Sequence, residues 1–223
     1  MVILATKCYV AGDARQRALD SLTSQVENLL GELDVTYDVG VRDDDFPSVT
    51  VEGDDETVAQ NLLREEFGEI TPHLTPGEGH VGTLERWDDD GFYLDAGREV
   101  HVPASELGLG PGSPEQIRTR FGLVQHLPLR FVPQEDGPTR LADEERDRLY
   151  EWTRGNGRVN VNSATRAEVR ATVNRAGHAQ DIVTVERLGL LEQSIVCTED
   201  TDPPGLLSSI GSYLSAELLA VVP

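Results

Sequence analysis

The chain has 223 residues, with 40 Asp plus Glu against 19 Lys plus Arg, a formal net charge of −21 and 38% hydrophobic residues. That length admits one to three compact domains with real apolar cores, and excludes a large catalytic barrel carrying appended lobes. No basic-then-apolar leader opens the sequence and no apolar run approaches the roughly 20 residues that span a bilayer, so the expected location is the cytoplasm. Lys7 is the only lysine. Strong acidity with lysine nearly absent is expected of a halophile, whose hydrated surface carboxylates keep it dispersed in concentrated salt. At about 1 M salt, charges are screened within roughly 3 Å. Nucleic-acid contact in such a cell must therefore rest on stacking and bidentate arginine hydrogen bonds. Cys8 and Cys197 lie in apolar runs and are expected to be reduced and buried.

Residues 1 to 76 open with an apolar run, Val2 to Val10, followed by an amphipathic helix from about Asp13 to Leu33. Leu19, Leu22, Val26, Leu29, Leu30 and Leu33 recur at helical spacing and form one apolar stripe. Strands are expected over Val35 to Val41 and Val49 to Val51, then a helix from about Asp55 to Phe67 and a short strand near Ile70 to Leu74. Strand, helix, strand, strand, helix, strand is the ferredoxin-like order.

Residues 77 to 138 read as a small β-barrel. Val81, Leu84 and Trp87 precede an Asp88-Asp89-Asp90-Gly91 turn, Phe92-Tyr93-Leu94 runs to Gly97, and Val100 and Val102 begin a third strand. Ser113, Pro114 and Gln116 form a helix start with a capping box. Leu123 to Val132 supplies the remaining strand material, where Pro128 demands an edge or a bend. The segment Gly79 to Leu107 resembles the OB-type RNA-binding repeat of the large bacterial small-subunit ribosomal protein. In that repeat an aromatic before the turn glycine, an aromatic two residues after it, and a His two residues before Ser-Glu-Leu form the nucleic-acid face. The matching positions here are Asp90, Tyr93 and Pro103. The resemblance implies RNA as partner, with Tyr93 stacking on a base; Arg98 and His101 lie close by, His101 on the same strand face as Pro103, and are expected to complete the hydrogen-bonding group.

From residue 139 to 223 a second ferredoxin-like unit is expected: a charged helix Leu141 to Thr153, a strand at Val159 and Val161, and a helix from a Thr165-Glu168 capping box to Ala176. Strands Ile182 to Val185 and Ser194 to Thr198 follow, then a helix Pro204 to Leu214 and the apolar tail Leu218 to Val222. The predicted fold class is thus α+β, a central OB-like β-barrel flanked by two ferredoxin-like α/β sandwich units. Between Arg140 and Arg175 there are eight arginines and six carboxylates, a positive balance inside an acidic chain. Arg146 and Arg148 lie among carboxylates and read as ion pairs, and Arg175 suits a helix end. Arg154 and Arg158 flank a Gly-Asn-Gly turn, and Arg166 and Arg170 share a helix face, so these four form the predicted backbone-phosphate contacts.

Enzyme signatures are missing: no phosphate-binding loop, no His-Glu-x-x-His, no Cys-x-x-Cys, no Gly-x-Ser-x-Gly. The five histidines lack metal-ligand spacing, so no cofactor or metal is expected. Thr201 to Leu207 resembles the Asp-x-Pro-Gly-Leu-Leu turn of small amino-acid-sensing domains, but it precedes the last helix instead of following a first strand. Three further stretches are similar to the archaeal domain-of-unknown-function family numbered twenty-one ten: Asp54 to Ala59 with Glu66-Phe67-Gly68, Phe121 to Leu129, and Asp181 to Leu191. That resemblance implies archaeal origin and no activity, which together with the acidic, lysine-poor composition gives a haloarchaeal member as the expectation. The expectation is a non-enzymatic factor binding RNA or a ribonucleoprotein in translation or transcription. The alternatives are a protein-interaction module docking on a polymerase or ribosome, and a small-molecule-sensing regulator.

Overall fold

The computed structural model describes residues 1–223 as an α+β protein on three antiparallel sheets, the middle one curled into half a barrel. The first sheet holds β1 (Val2–Ile3), β2 (Val35–Val41) and β3 (Pro47–Gly53) in the order β1-β3-β2. Helix α1 (Gly12–Leu30) lays Ala18, Leu22, Val26 and Leu30 on it, the last three from the expected stripe, and ends before the expected Leu33. Helix α2 (Glu56–Phe67) adds Ala59 and Leu63. The strand expected over Ile70 to Leu74 shrinks to a single bridge between Leu4 and Glu69 and the Ile70 amide on the Ile3 carbonyl. Pro72 has no amide with which to extend the ladder.

The middle unit begins with β4 (His80–Asp88), β5 (Gly91–Asp95) and β6 (Glu99–Pro103) as an antiparallel meander. Gly91 closes the first turn at φ +151°, where a Cβ would stand 2.1 Å from the Val102 carbonyl oxygen. Helix α3 (Pro114–Phe121) starts on the expected Ser113-Gln116 capping box. Strand β7 (Pro128–Val132) pairs with β4, and Pro128 is its first residue, where the missing amide costs no interior ladder bond. Strand β8 (Arg140–Leu141) pairs with β7, giving the order β6-β5-β4-β7-β8. Helix α4 (Asp143–Trp152) sends Leu149 and Trp152 into the core that holds Leu84, Phe92 and Phe131. Residues 139–153, assigned by sequence to the third unit, therefore pack with the middle one.

The third sheet comprises β9 (Arg158–Val161), β10 (Ile182–Arg187), β11 (Gln193–Cys197) and β12 (Leu218–Val221), ordered β10-β11-β9-β12. Helix α5 (Arg166–Arg175) carries the expected capping box, and α6 (Pro203–Ile210) is capped by the Asp202 carboxylate on the Gly205 amide at 2.9 Å. Cys8 and Cys197 are free and buried. No helix is long and apolar enough to cross a membrane.

The three units interlock. Leu190 and Leu191, from the β10–β11 turn, enter the first core, and Val221 enters the middle one. The Arg118 guanidinium donates to Glu217 at 2.6 Å, and Asn160 Nδ2 donates to the Gly122 carbonyl at 2.8 Å. The segment after β1 binds all three together. Only Val2 and Ile3 of the expected Val2-to-Val10 run are strand, because the polar groups that follow find partners outside the first sheet. Thr6 Oγ1 accepts from the Leu190 amide at 2.7 Å. Lys7 Nζ reaches Asp95 at 2.7 Å and Glu85 at 3.1 Å. Tyr9 donates to Glu192 at 2.7 Å, accepts from the Ser163 amide at 2.8 Å, and lies 3.9 Å from the His126 ring. His126 and Ser163 are two of only three non-glycine residues with positive φ, so local backbone strain collects around Tyr9.

Glu85 reaches Lys7 because it is the extra residue of a β-bulge between Leu84 and Arg86, which re-aims its side chain. Burial works against its charge, but hydrogen bonds from His126 and Thr83 and the Lys7 ammonium lower its pKa to about 2. The Lys7 ammonium loses hydration on burial, yet Asp95 and Glu85 more than compensate and its pKa is raised. Lys7→Met is expected to cost about 2–3 kcal/mol in urea unfolding, below the roughly 3–5 of a fully buried pair because both carboxylates keep some solvent contact. Lys7→Arg should recover part of the loss, and a Lys7→Met protein as stable as the parent would show that the apolar contacts alone hold the junction.

Candidate nucleic-acid interface

The sequence-predicted residues fall on two separate surfaces. On the middle sheet, Tyr93 pairs with His101 on β6 and with Arg86 on β4, so the three stand in one row across the strands. The Tyr93 and His101 rings stack at 4.6 Å, and the Arg86 guanidinium lies 3.4 Å from the Tyr93 centroid. Since β4 and β6 flank β5 on opposite sides, both faces of the Tyr93 ring are covered by the protein's own side chains. Arg86 is also paired with Glu99 at 3.2 Å and Asp88 at 3.4 Å. Arg98, in the turn after β5, lines a hollow of about 310 Å³ with Glu85, Asp95 and Glu99, so one arginine faces three carboxylates. The structure thus brings Tyr93 and His101 together, but in an acidic setting with no free ring face between them.

The second surface is where the first and third units meet. A cavity of about 570 Å³ lies between α1, the first turn of α5 and the β10–β11 end, lined by Arg17, Arg166, Arg170 and Arg187 against only Asp20 and Glu168. A second cavity of about 550 Å³ is lined by Arg148, Arg158, Arg166 and Arg187 with Glu151 and Glu186. Arg166 and Arg187 line both, so the two hollows adjoin. Arg17 bridges the units by pairing with Glu168 at 2.6 Å, and Arg187 donates to Gln25 of α1. Arg166 Nε is held by the Val185 carbonyl at 2.6 Å. Arg166, Arg170 and Arg187 make no ion pair, in a chain that carries twice as many acidic as basic residues.

Arg158 is the most enclosed of the predicted four, with its side chain 11% exposed, paired with Glu186 at 3.1 Å and lying 4.8 Å from the Trp152 ring. Burial lowers its pKa and Glu186 counters that. Arg154 stands apart: it is exposed and packs over Tyr150 at 5.7 Å, lining neither cavity. Of the predicted four, Arg158, Arg166 and Arg170 line these cavities and Arg154 does not. Sequence reading missed Arg17, Arg148 and Arg187. Arg148 does pair with Glu145 as expected and also faces the second cavity. One legible signal existed: Ser21, Ser24, Gln25 and Asn28 give α1 an uncharged polar stripe beside its apolar one, unusual in so acidic a chain.

Family profiles match nearly the whole sequence: the DUF2110 N-terminal domain over residues 1–73, the DUF2110 central domain over 74–153 and the DUF2110 C-terminal domain over 156–222. The chain belongs to the DUF2110 family. No curated protein matches it. In DUF2110 terms the first cavity lies between the N-terminal and C-terminal domains, and the second between the central and C-terminal domains.

One other polar cluster has catalytic-looking distances. His178 Nδ1 lies 2.6 Å from Asp181 and its Nε2 lies 2.7 Å from Ser209 Oγ. Ser209, however, sits at the C-terminal end of α6, where free carbonyls and not amides are presented, so nothing there stabilises an oxyanion. The cluster ties α6 to the turn before β10.

Behind the arginine cavities, Glu192 is fully buried beside Gln193, with Tyr9 donating to one carboxyl oxygen and the other unpaired. Burial pushes its pKa up to about 8, against the Tyr9 and backbone hydrogen bonds that favour the charge. An unfolded glutamate ionises near its ordinary value of 4.5, so this group stabilises the fold fully below that pH and the benefit is lost as pH rises through about 8. Glu192→Gln, which mimics the protonated acid, should flatten the stability profile between pH 5 and 8 in urea titrations. An unchanged slope would show that Glu192 is ionised throughout.

Proposed function

We propose that the protein is a non-enzymatic RNA-binding or ribonucleoprotein-associated factor whose contact with the polymer runs along the two adjoining arginine-lined cavities. The observation that carries this reading is the pair Arg166 and Arg187, which line both cavities without a carboxylate partner while most other arginines are paired. Unpaired guanidiniums held by neutral groups offer bidentate donors to phosphate at short range, a mode of attraction that survives high salt. The strand orders support reading the middle sheet as OB-type and the outer sheets as ferredoxin-like: a meander closed by β7 on β4, between β1-β3-β2 and β10-β11-β9-β12. The acidic, lysine-poor surface supports a salt-rich archaeal cytoplasm as its setting.

On this reading the OB-type unit acts as a scaffold, because stacking a base on Tyr93 requires displacing Arg86 or His101. Fluorescence anisotropy with a 12-nucleotide single-stranded RNA across a KCl series tests it. Arg166→Gln with Arg187→Gln should weaken binding and flatten the log–log salt dependence by about 0.7 for each phosphate that is no longer neutralised. Tyr93→Ala should leave affinity unchanged, where a stacking residue would lose about 1–3 kcal/mol. The reverse pattern, weaker binding with Tyr93→Ala and no change with the arginine pair, would move the interface to the middle sheet.

A further inference from the structure

Resting on the RNA reading, we infer that the first cavity recognises the ribose 2′-hydroxyl, with Gln193 as the residue that separates RNA from DNA. Gln193 lines the cavity and is fully buried. Its Nε2 donates to the Ala164 carbonyl at 3.2 Å and the Leu190 carbonyl at 3.3 Å. Those two acceptors fix which end of the amide is which, since an oxygen in that place would face two carbonyls. Oε1 is consequently held in position as an acceptor, and it has no partner.

The rest of the lining defines what can bring the missing donor. Twelve of the fourteen lining residues are not hydrophobic, and no aromatic ring is among them. A base therefore has no surface to stack on, and the site suits sugar and phosphate. A phosphodiester is acceptor-only and meets Arg166, Arg170 and Arg187. It cannot satisfy Gln193 Oε1. The 2′-hydroxyl is the one backbone group that donates, and it is the group that distinguishes RNA from DNA. Ser21, Ser24, Gln25 and Asn28, on the α1 wall, offer further donors and acceptors to the sugar.

The test uses the full chain and four labelled 12-nucleotide probes of one sequence at a fixed KCl concentration: RNA, DNA, 2′-fluoro RNA and 2′-O-methyl RNA. Fluorine keeps the ribose pucker and size but removes the donor, so the experiment does not depend on a variant folding. RNA should bind about tenfold more tightly than the 2′-fluoro probe and DNA, the ratio one hydrogen bond to a buried acceptor supplies. Gln193→Leu, if folded by circular dichroism, should erase that gap. Equal affinity for RNA and 2′-fluoro RNA, with both abolished by Arg166→Gln and Arg187→Gln, would overturn the ribose assignment and leave the RNA interface standing. No binding by any probe would overturn both.

Discussion

The short stretch from Thr6 to Tyr9 is the constraint on which the arrangement of the three units depends. It leaves the first sheet after two residues of strand and inserts polar side chains into the seam between the other two units. Its charged contact is made by the one lysine in the chain, between two carboxylates that belong to the middle sheet. A bulge at Glu85 and positive backbone φ at His126 and Ser163 are the local distortions that let those groups converge. Burying such groups is costly unless each is paired, and breaking any one strands the others. The network therefore specifies one relative placement of the units more than it adds net stability.

That placement produces the arginine-lined cavities. No single unit contains them: Arg17 comes from α1, Arg148 from α4, and Arg158, Arg166, Arg170 and Arg187 from the third unit. The same seam carries the buried Glu192, directly before Gln193 on the cavity wall, so the tightness of the junction and the shape of the cavity are mechanically linked. In a chain at −21, carboxylates neutralise most guanidiniums they can reach. Within the seam Arg166, Arg170 and Arg187 escape this, because side-chain amides and hydroxyls outnumber the carboxylates Asp20, Glu151, Glu168 and Glu186 on its walls.

Local structure was legible in the sequence wherever the signal was local. The α1 stripe, both capping boxes and the β4–β5 turn follow from side-chain spacing and from the conformations that Ser, Thr, Pro and Gly favour. The Val2-to-Val10 run was misleading for a physical reason. Its apolar content suggests a strand, but Thr6, Lys7 and Tyr9 find their partners in the other two units, from Glu85 to Glu192. Residues 139–153 posed the same difficulty: nothing in that helix says which neighbouring core will take Leu149 and Trp152. Among the cavity-lining arginines, Arg166 and Arg170 could be grouped by helix periodicity, while Arg187 could not, because its strand meets their helix only in the folded chain.

Neighbours along the chain were enough to set the element order, the acidic character and the excess of arginine in the last third, since each is a property of adjacent residues. Folding in three dimensions settled which charges are left without partners. Tyr93 keeps its place on the sheet yet gives up both ring faces to Arg86 and His101, and Arg154 drops away from a cluster that Arg187 joins. Pairing and exposure depend on distances of a few ångströms between segments remote in sequence, and spacing along one segment does not encode them.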